Sequence, residues 1–264
     1  MGDPPTNAAA DGSFARYWPT VEGVLGRSPR HKSSAIQFSG QQPPGLDGVA
    51  MISALRQSLD GPIWRDPVTR TSGNWAWRAS LPARRTSSPE VSLERDVVAR
   101  GGHATWTFQM STTSGFRGVH SDKRRAIDLV QKVGASSYRF IELKVESDNP
   151  LYAAFEILGY GLAYCLARHY GYSGTGTHNV MDGSRIELEV LAPEIWYEYR
   201  RYPSAPRLRF DMAWLSSAIN TGLAREISVL SLNGLNEMKF SFRSFSSGHD
   251  LSLAAHELSG SPSS

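Results

Sequence analysis

The chain has 264 residues and a net charge of +3, with 40% hydrophobic and 20% charged residues, as is typical of a soluble globular protein. That length can bury a sizeable core, and the small basic excess permits a nucleic-acid partner without demonstrating one. The single cysteine, Cys165, excludes an internal disulfide framework and a zinc site built from several thiolates.

The sequence also carries signals about location. The N-terminal residues show no basic region followed by an apolar core, so we predict no signal peptide and a cytoplasmic protein. The most apolar run, residues 151–167, contains Glu156, which favours a buried helix over a membrane span.

The N-terminal part is poor in regular patterns. Residues 1–45 are rich in Pro, Gly, Ser and Ala, and we predict them to be largely irregular. Residues 46–59 have helical spacing of apolar side chains, at Val49, Ile52, Leu55 and Leu59. Three tryptophans then stand among turn residues and favour short strands or a hairpin: Trp64, Trp75 and Trp77. Residues 1–85 are therefore predicted to form an N-terminal extension.

A helix and three strands are predicted next. Ser87 or Ser88 can cap a helix over residues 89–100, Pro89 suits its first turn, and Gly101-Gly102 ends it. Strands follow at residues 104–113, 124–133 and 138–145, and the last two are predicted to form a hairpin around residues 134–137.

The remaining elements complete a sheet flanked by helices. Asn149 and Pro150 start a long, buried helix that ends near Gly171. Further predictions are a half-exposed strand at 185–190, a helix at 211–225, strands at 227–232 and 238–245, and a loose polar tail from Ser246. This order predicts an α/β or α+β, sandwich-like fold, with one domain at residues 86–245 and the tail at 246–264.

Three charged residues stand inside apolar strands, where a charge is costly unless it is paired or bound to a metal. Alternation along the third strand places Glu142 and Lys144 on one face, with their Cα atoms roughly 7 Å apart. If the two strands pair around the turn, Asp128 lies near Glu142 across the hairpin. The sequence therefore predicts that two carboxylates and an ammonium group meet at one place.

This combination suits phosphodiester hydrolysis. Two neighbouring carboxylates repel each other, and a hard divalent cation such as Mg²⁺ or Mn²⁺ resolves the conflict. The backbone carbonyl of Leu143 is a natural additional ligand, while Lys144 can orient a water or neutralise charge in the transition state. Asp128 and Glu142 are thus predicted metal ligands.

Asp128 with Glu142-Leu143-Lys144 resembles the motif of the PD-(D/E)xK, or restriction-endonuclease-like, nucleases. The resemblance covers residues 87–200, and Ile127 stands where the motif has Pro. It implies a restriction-endonuclease-like core with a mixed central sheet, and a metal-dependent nuclease for which DNA is the favoured substrate, although the sequence leaves the choice between DNA and RNA open. Endonuclease and exonuclease action, the sequence specificity and the oligomeric state stay open, a dimer included.

The resemblance also implies supporting residues. Glu156 and Tyr160, twelve and sixteen residues after Lys144, match the Glu or Gln and the Tyr of the helix that follows the motif. Glu94 is the best match for a glutamate near the metal in the preceding helix, and Glu90 is the second.

Structural interpretations compete with these assignments. Glu142 and Lys144 form an exposed charged face in one of them, and Glu156 forms a salt bridge with Lys144 or Arg168 in another. Asp128 would merely cap, or pair with Arg125 or Lys132, and Glu94 would be solvated.

The basic cluster Lys123, Arg124 and Arg125 adjoins the Asp128 strand and would contact phosphates, or would merely form a solvated edge. The alternative function is a catalytically inactive nuclease-like fold that binds nucleic acid or a protein partner.

Overall fold

The computed structural model describes residues 14–64, 74–78, 80, 87–112, 125–174, 176–247 and 250–260. The helices are α1 (Tyr17–Leu25), α2 (Lys32–Gln37), α3 (Gly48–Leu59), α4 (Pro89–Gly101), α5 (Pro150–His169), α6 (Ala213–Leu230) and α7 (Leu251–Ser259). The strands are β1 (Trp106–Ser111), β2 (Ala126–Gly134), β3 (Ser137–Leu143), β4 (Arg185–Pro193), β5 (Glu198–Tyr199), β6 (Leu208–Arg209) and β7 (Glu237–Phe245).

A mixed five-stranded sheet has the order β1-β2-β3-β4-β7. The first three strands form an antiparallel meander, whereas β3, β4 and β7 are parallel to one another. Parallel neighbours need a crossover, and α5 connects β3 to β4 while α6 lies between β4 and β7 in the chain. The predicted α/β class, with a mixed sheet flanked by helices, is confirmed.

The two faces of the sheet pack against different helices. Tyr138 and Phe140 of β3 belong to a large apolar core that also contains α5 and the N-terminal helices. Ile141 and Leu143 point the other way, into a smaller core formed with α4 and α7. This alternation is the one predicted from the period of two residues.

Helix α5 is the centre of the larger core. It is long and apolar enough to cross a membrane by length and composition, but 94% of that stretch is buried inside the fold, as expected of a core helix. Its predicted start is confirmed, because the Asn149 side chain accepts hydrogen bonds from the backbone N–H groups of Leu151 and Tyr152.

The predicted start of α4 is confirmed in the same way. The Ser88 hydroxyl accepts from the N–H of Val91, and Pro89 occupies the first turn.

The prediction that residues 1–45 are largely irregular is wrong for the described part of that segment. Helix α1 buries Tyr17, Val21 and Leu25, which are spaced four residues apart and pack into the larger core. Pro19 obscured this pattern, although proline is tolerated in the first turn of a helix. Helix α1 is thus part of the larger core.

Two predictions for the C-terminal region are also wrong. Residues 227–230 of the expected strand continue α6, because Ile227 extends the helical spacing of Ile219 and Leu223. The expected loose tail contains α7, whose N–H groups are capped by Asp250 and whose apolar side chains pack against α4. At Ile227 the packing of the helix against the larger core overrides strand propensity.

Strand β4 was predicted to be half-exposed, yet it is almost entirely buried, because its side chains enter the larger core on one face of the sheet and the smaller core on the other. Its inward-facing Glu189 lies 3.5 Å from Arg139 and 3.7 Å from Arg243. Of the predicted tryptophan hairpin, residues 62–64 form a 3₁₀ turn and Trp77 makes an isolated bridge with Gly176. Most of the segment 65–86 lies outside the described residues.

Candidate active site

The hairpin of β2 and β3 places Asp128 beside Glu142. Leu129 pairs with Ile141, and the same register sets Asp128 opposite Glu142 at the point where the regular pairing ends. There the Leu143 N–H donates a hydrogen bond to the Asp128 carboxylate, with 2.9 Å between N and Oδ2. The side chain thus takes the place of a backbone acceptor, which fixes its carboxylate at the end of the ladder.

Lys144 is held by three carboxylates. Its Nζ lies 2.8 Å from Glu142 Oε1 and 3.1 Å from both Asp148 Oδ2 and Glu156 Oε2. Burial alone would lower the pKa of Lys144, but these carboxylates, together with Asp128, raise it well above its ordinary value. Lys144 is therefore protonated at every physiological pH.

The acidic side chains around Lys144 outnumber its single positive charge, since Asp128, Glu142, Asp148 and Glu156 all lie near it. Burial raises the pKa of Asp128 to about 7, although Lys144 opposes this shift. Glu142 is only 3% exposed, and burial, followed by repulsion from Asp128 and Glu156, raises its pKa well above the usual range. Its Oε2 is buried and has no hydrogen-bond partner in the described part of the chain.

Glu94 approaches Asp128 from α4 through an intervening amide. Glu94 is 1% exposed and accepts a hydrogen bond from Gln109 Nε2 at 2.8 Å, while the same nitrogen lies 3.5 Å from Asp128 Oδ1. Burial and the charge of Asp128 raise the pKa of Glu94. The interpretation of Glu94 as a solvated residue is therefore wrong.

Gln109 is a site residue that the sequence did not indicate. It stands in β1 with a φ of 48°, a left-handed conformation that is uncommon for a residue other than glycine. This backbone geometry accompanies an amide placed between two carboxyl groups. Nothing in the sequence pattern "TFQMS" signals it.

One cavity of about 200 Å³ is lined by most of these charged groups and by Leu143 and Tyr160; the charged lining comprises Glu90, Glu94, Asp128, Glu142, Lys144 and Glu156. Burial, and the charges of Glu142 and Glu156, raise the pKa of the Tyr160 hydroxyl, so it keeps its proton. Glu90 also borders the cavity, and it accepts hydrogen bonds from the Val145 N–H and the Ser147 hydroxyl.

The structural alternatives have separate outcomes. Glu156 pairs with Lys144, as one of them predicted, and this ion pair lies inside the cavity. Arg168 instead donates to the Tyr164 hydroxyl and the Gly183 carbonyl. The Glu142–Lys144 pair is buried, so the interpretation as an exposed charged face is wrong.

The predicted phosphate-binding cluster is described only in part. The Arg125 guanidinium lies 5.0 Å from the ring centre of Phe14, whereas Lys123 and Arg124 lie outside the described residues. Lys132, the other proposed partner of Asp128, lies with its Nζ 3.3 Å from Nδ1 of His178.

In the described ranges, no three His, Cys, Asp or Glu side chains are already grouped as a cation site. One carboxylate oxygen of Glu142 is instead engaged by Lys144. A metal here would therefore use Asp128, the orphaned Glu142 oxygen and backbone or water oxygens.

No family model matches the chain, and neither the curated proteins nor the solved structures contain a match. The resemblance to the PD-(D/E)xK nucleases therefore depends on the motif residues and on their arrangement. The coarse fold class, a mixed sheet flanked by helices, is independent of that resemblance.

Proposed function

We propose that the protein is a metal-dependent nuclease that hydrolyses nucleic-acid phosphodiester bonds, with DNA favoured over RNA. The observation that carries this proposal is the meeting of Asp128, Glu142 and Lys144 in one cavity at the end of the β2–β3 ladder. Buried carboxylates of this kind are costly, and functional sites are where such costs are commonly found.

The residues fit a hard divalent cation such as Mg²⁺ or Mn²⁺. Asp128 and Glu142 supply carboxylate oxygens, one of which has no partner, and the Leu143 carbonyl is a third candidate ligand. Glu94 would act through Gln109. When bound, the ion polarises a phosphoryl oxygen and lowers the pKa of its water.

Lys144 serves as a hydrogen-bond donor and a fixed positive charge. Its raised pKa means that it does not accept a proton, so it acts on the attacking water or on the phosphate oxygens by donation. Glu156 and Asp148 hold the ammonium group in position beside Glu142. The Tyr160 hydroxyl remains protonated and is a second donor at the cavity.

A catalytically inactive binding module is the second candidate function. It is favoured by the Glu142–Lys144 ion pair, which already compensates one buried carboxylate without any metal. In this alternative the acidic cavity has no catalytic role, and nucleic acid or a protein binds elsewhere on the fold.

A cleavage assay separates these candidates. End-labelled DNA and RNA oligonucleotides are incubated with the protein in Mg²⁺, in Mn²⁺ or in EDTA, and we expect cleavage only with a divalent ion. The Asp128→Asn variant should lose the activity, whereas Arg185→Ala, an exposed residue at the start of β4, should keep it. Undiminished cleavage by Asp128→Asn would contradict the proposed site, and absence of metal-dependent cleavage on any substrate would favour the binding module.

A further inference from the structure

The loop between β5 and β6 is basic and exposed. It contains Arg200, Arg201, Tyr202 and Arg207, and the short β5–β6 ladder fixes both of its ends. Tyr202 is 62% exposed, which is unusual for an aromatic side chain of this size. Arg200 donates to the Pro203 carbonyl at 3.1 Å, so the loop has internal structure.

A cavity of about 520 Å³ lies between this loop and Lys32 of α2. Its charged lining consists of Lys32, three arginines and one acid, Glu198. Glu198 pairs with Arg207 at 3.0 Å, which leaves the positive charges in excess. A surface of this sign attracts polyanions.

The basic cavity continues towards the candidate active site. A neighbouring cavity of about 310 Å³ shares Lys32 and Glu198 with it and extends to Asp148. Asp148 in turn holds Lys144, with 3.1 Å between Oδ2 and Nζ. The connecting cavity also contains Glu146, so the positive charge is concentrated at its outer end.

A further basic residue, Arg30, lies near the connecting cavity. The guanidinium of the exposed Arg30 is 5.2 Å from the ring centre of Tyr152, in the first turn of α5. Tyr152 is one helical turn before Glu156. Burial is the main cause of the raised pKa of Tyr152, and the negative charge of Glu156 is the second cause. Lys32 thus lies between the catalytic cavity and the β5–β6 loop, and Arg30 lies beside the connecting cavity, where its backbone carbonyl accepts a hydrogen bond from Asn149 Nδ2.

We propose that Arg30, Lys32, Arg200, Arg201 and Tyr202 form a track that binds single-stranded nucleic acid next to the active site. The inference rests on the proposed nuclease function, and it adds the strandedness of the substrate. The basic side chains contact backbone phosphates, and the Tyr202 ring stacks on an unpaired base. A duplex hides the faces of its bases inside the helix, so it gains nothing from an exposed tyrosine.

The track is tested by binding without cleavage. Fluorescence anisotropy in EDTA measures the affinity of a labelled 20-nucleotide strand and of the same sequence as a duplex, over a series of salt concentrations. We expect the single strand to bind more tightly, and Tyr202→Ala to weaken its binding by about 5- to 150-fold, since stacking contributes roughly 1–3 kcal/mol per base. Arg201→Ala should lower the salt slope by about 0.7.

Arg185→Ala is the matched control, because the Arg185 side chain is about as exposed as that of Tyr202. Arg185 lies at the N-terminal end of β4, whereas the β5–β6 loop follows the C-terminal end, so this variant should bind like the wild type. The proposed track is contradicted if the protein binds strand and duplex with equal affinity. It is also contradicted if both Tyr202→Ala and Arg201→Ala bind the single strand as tightly as the wild type does. Because no metal is present, these results are independent of catalysis. If the track residues prove irrelevant to binding but the protein cleaves nucleic acid, the nuclease proposal stands without the track. If the protein binds the single strand through these residues but does not cleave it, only the track is supported.

Discussion

Replacing Asp128 with Asn will stabilise the protein at neutral pH and abolish the proposed nuclease activity. Burial raises the pKa of Asp128 from its ordinary value to about 7. The folded state therefore holds this proton more tightly than the unfolded state, and ionisation of Asp128 lowers stability as the pH rises from about 4 to about 7. An uncharged side chain removes this penalty.

At pH 7.5 the free energy of unfolding should rise by about 1–3 kcal/mol. Each pKa unit corresponds to about 1.4 kcal/mol, and the full value is reduced because the carboxyl remains partly open to the cavity. Asparagine retains an oxygen that can accept the Leu143 N–H. The cleavage rate should nevertheless fall by about 10³-fold or more, since the charged oxygen that would hold the metal is lost.

Thermal unfolding at pH 7.5 and at pH 4.0 measures the effect. We expect Asp128→Asn to raise Tm clearly at the higher pH and only slightly at the lower one, where the folded carboxyl is protonated and the unfolded one is about half protonated. Glu22→Gln, on the exposed side of α1, is the control and should change neither value. A lower Tm for Asp128→Asn at pH 7.5 would show that the carboxylate is stabilising, contrary to the geometry of the site.

Replacing Lys144 with Met will have the opposite effect on stability. The ammonium group compensates Glu142, Asp148 and Glu156, and its loss leaves the deeply buried Glu142 carboxylate next to other acids. Breaking a buried pair by removing one partner costs roughly 3–5 kcal/mol. The cleavage rate should also fall by about 10²- to 10⁴-fold, the range for a group that assists proton transfer or charge neutralisation.

Denaturant unfolding at pH 7.5 and pH 5.0 tests the cause. The defect should be smaller at pH 5.0 than at pH 7.5, because burial and the neighbouring acids raise the pKa of Glu142 and its neutral form is favoured increasingly as the pH falls. Adding Glu142→Gln should rescue stability but not cleavage, and Lys144→Arg is the control that keeps the charge. A Lys144→Met protein as stable as the wild type at pH 7.5 would mean that the ion pairs contribute nothing.

Much of the site was predictable because it depends on local rules. Alternation along a strand placed Glu142 and Lys144 on one face, and the hairpin placed Asp128 close by. The pairs Ser88-Pro89 and Asn149-Pro150 marked the starts of α4 and α5, because a polar cap followed by proline is a strong helix signal. These rules involve residues close in sequence.

The remaining features depend on contacts between distant segments. The amide of Gln109 between Glu94 and Asp128 accompanies a positive φ in β1, and the contact of Asp148 with Lys144 accompanies a φ of 63° in the loop before α5. The burial of Glu94 depends on where α4 docks against β1. Composition and periodicity carry no information about such docking, so the contacts of Gln109 and Asp148 could be found only in the folded chain, and Glu94 was suggested by the resemblance alone.

Metal binding by the wild-type chain can be measured by isothermal titration calorimetry with Mn²⁺ at pH 6.5, in two buffers that differ in ionisation enthalpy. With a pKa of about 7, Asp128 is largely protonated at this pH, so binding should release protons and the apparent enthalpy should depend on the buffer. We expect the wild type and Glu22→Gln to bind Mn²⁺ with proton release, and Asp128→Asn to lose that binding. Absence of Mn²⁺ binding in the wild type, or the same binding in Asp128→Asn, would contradict a metal site at Asp128 and Glu142.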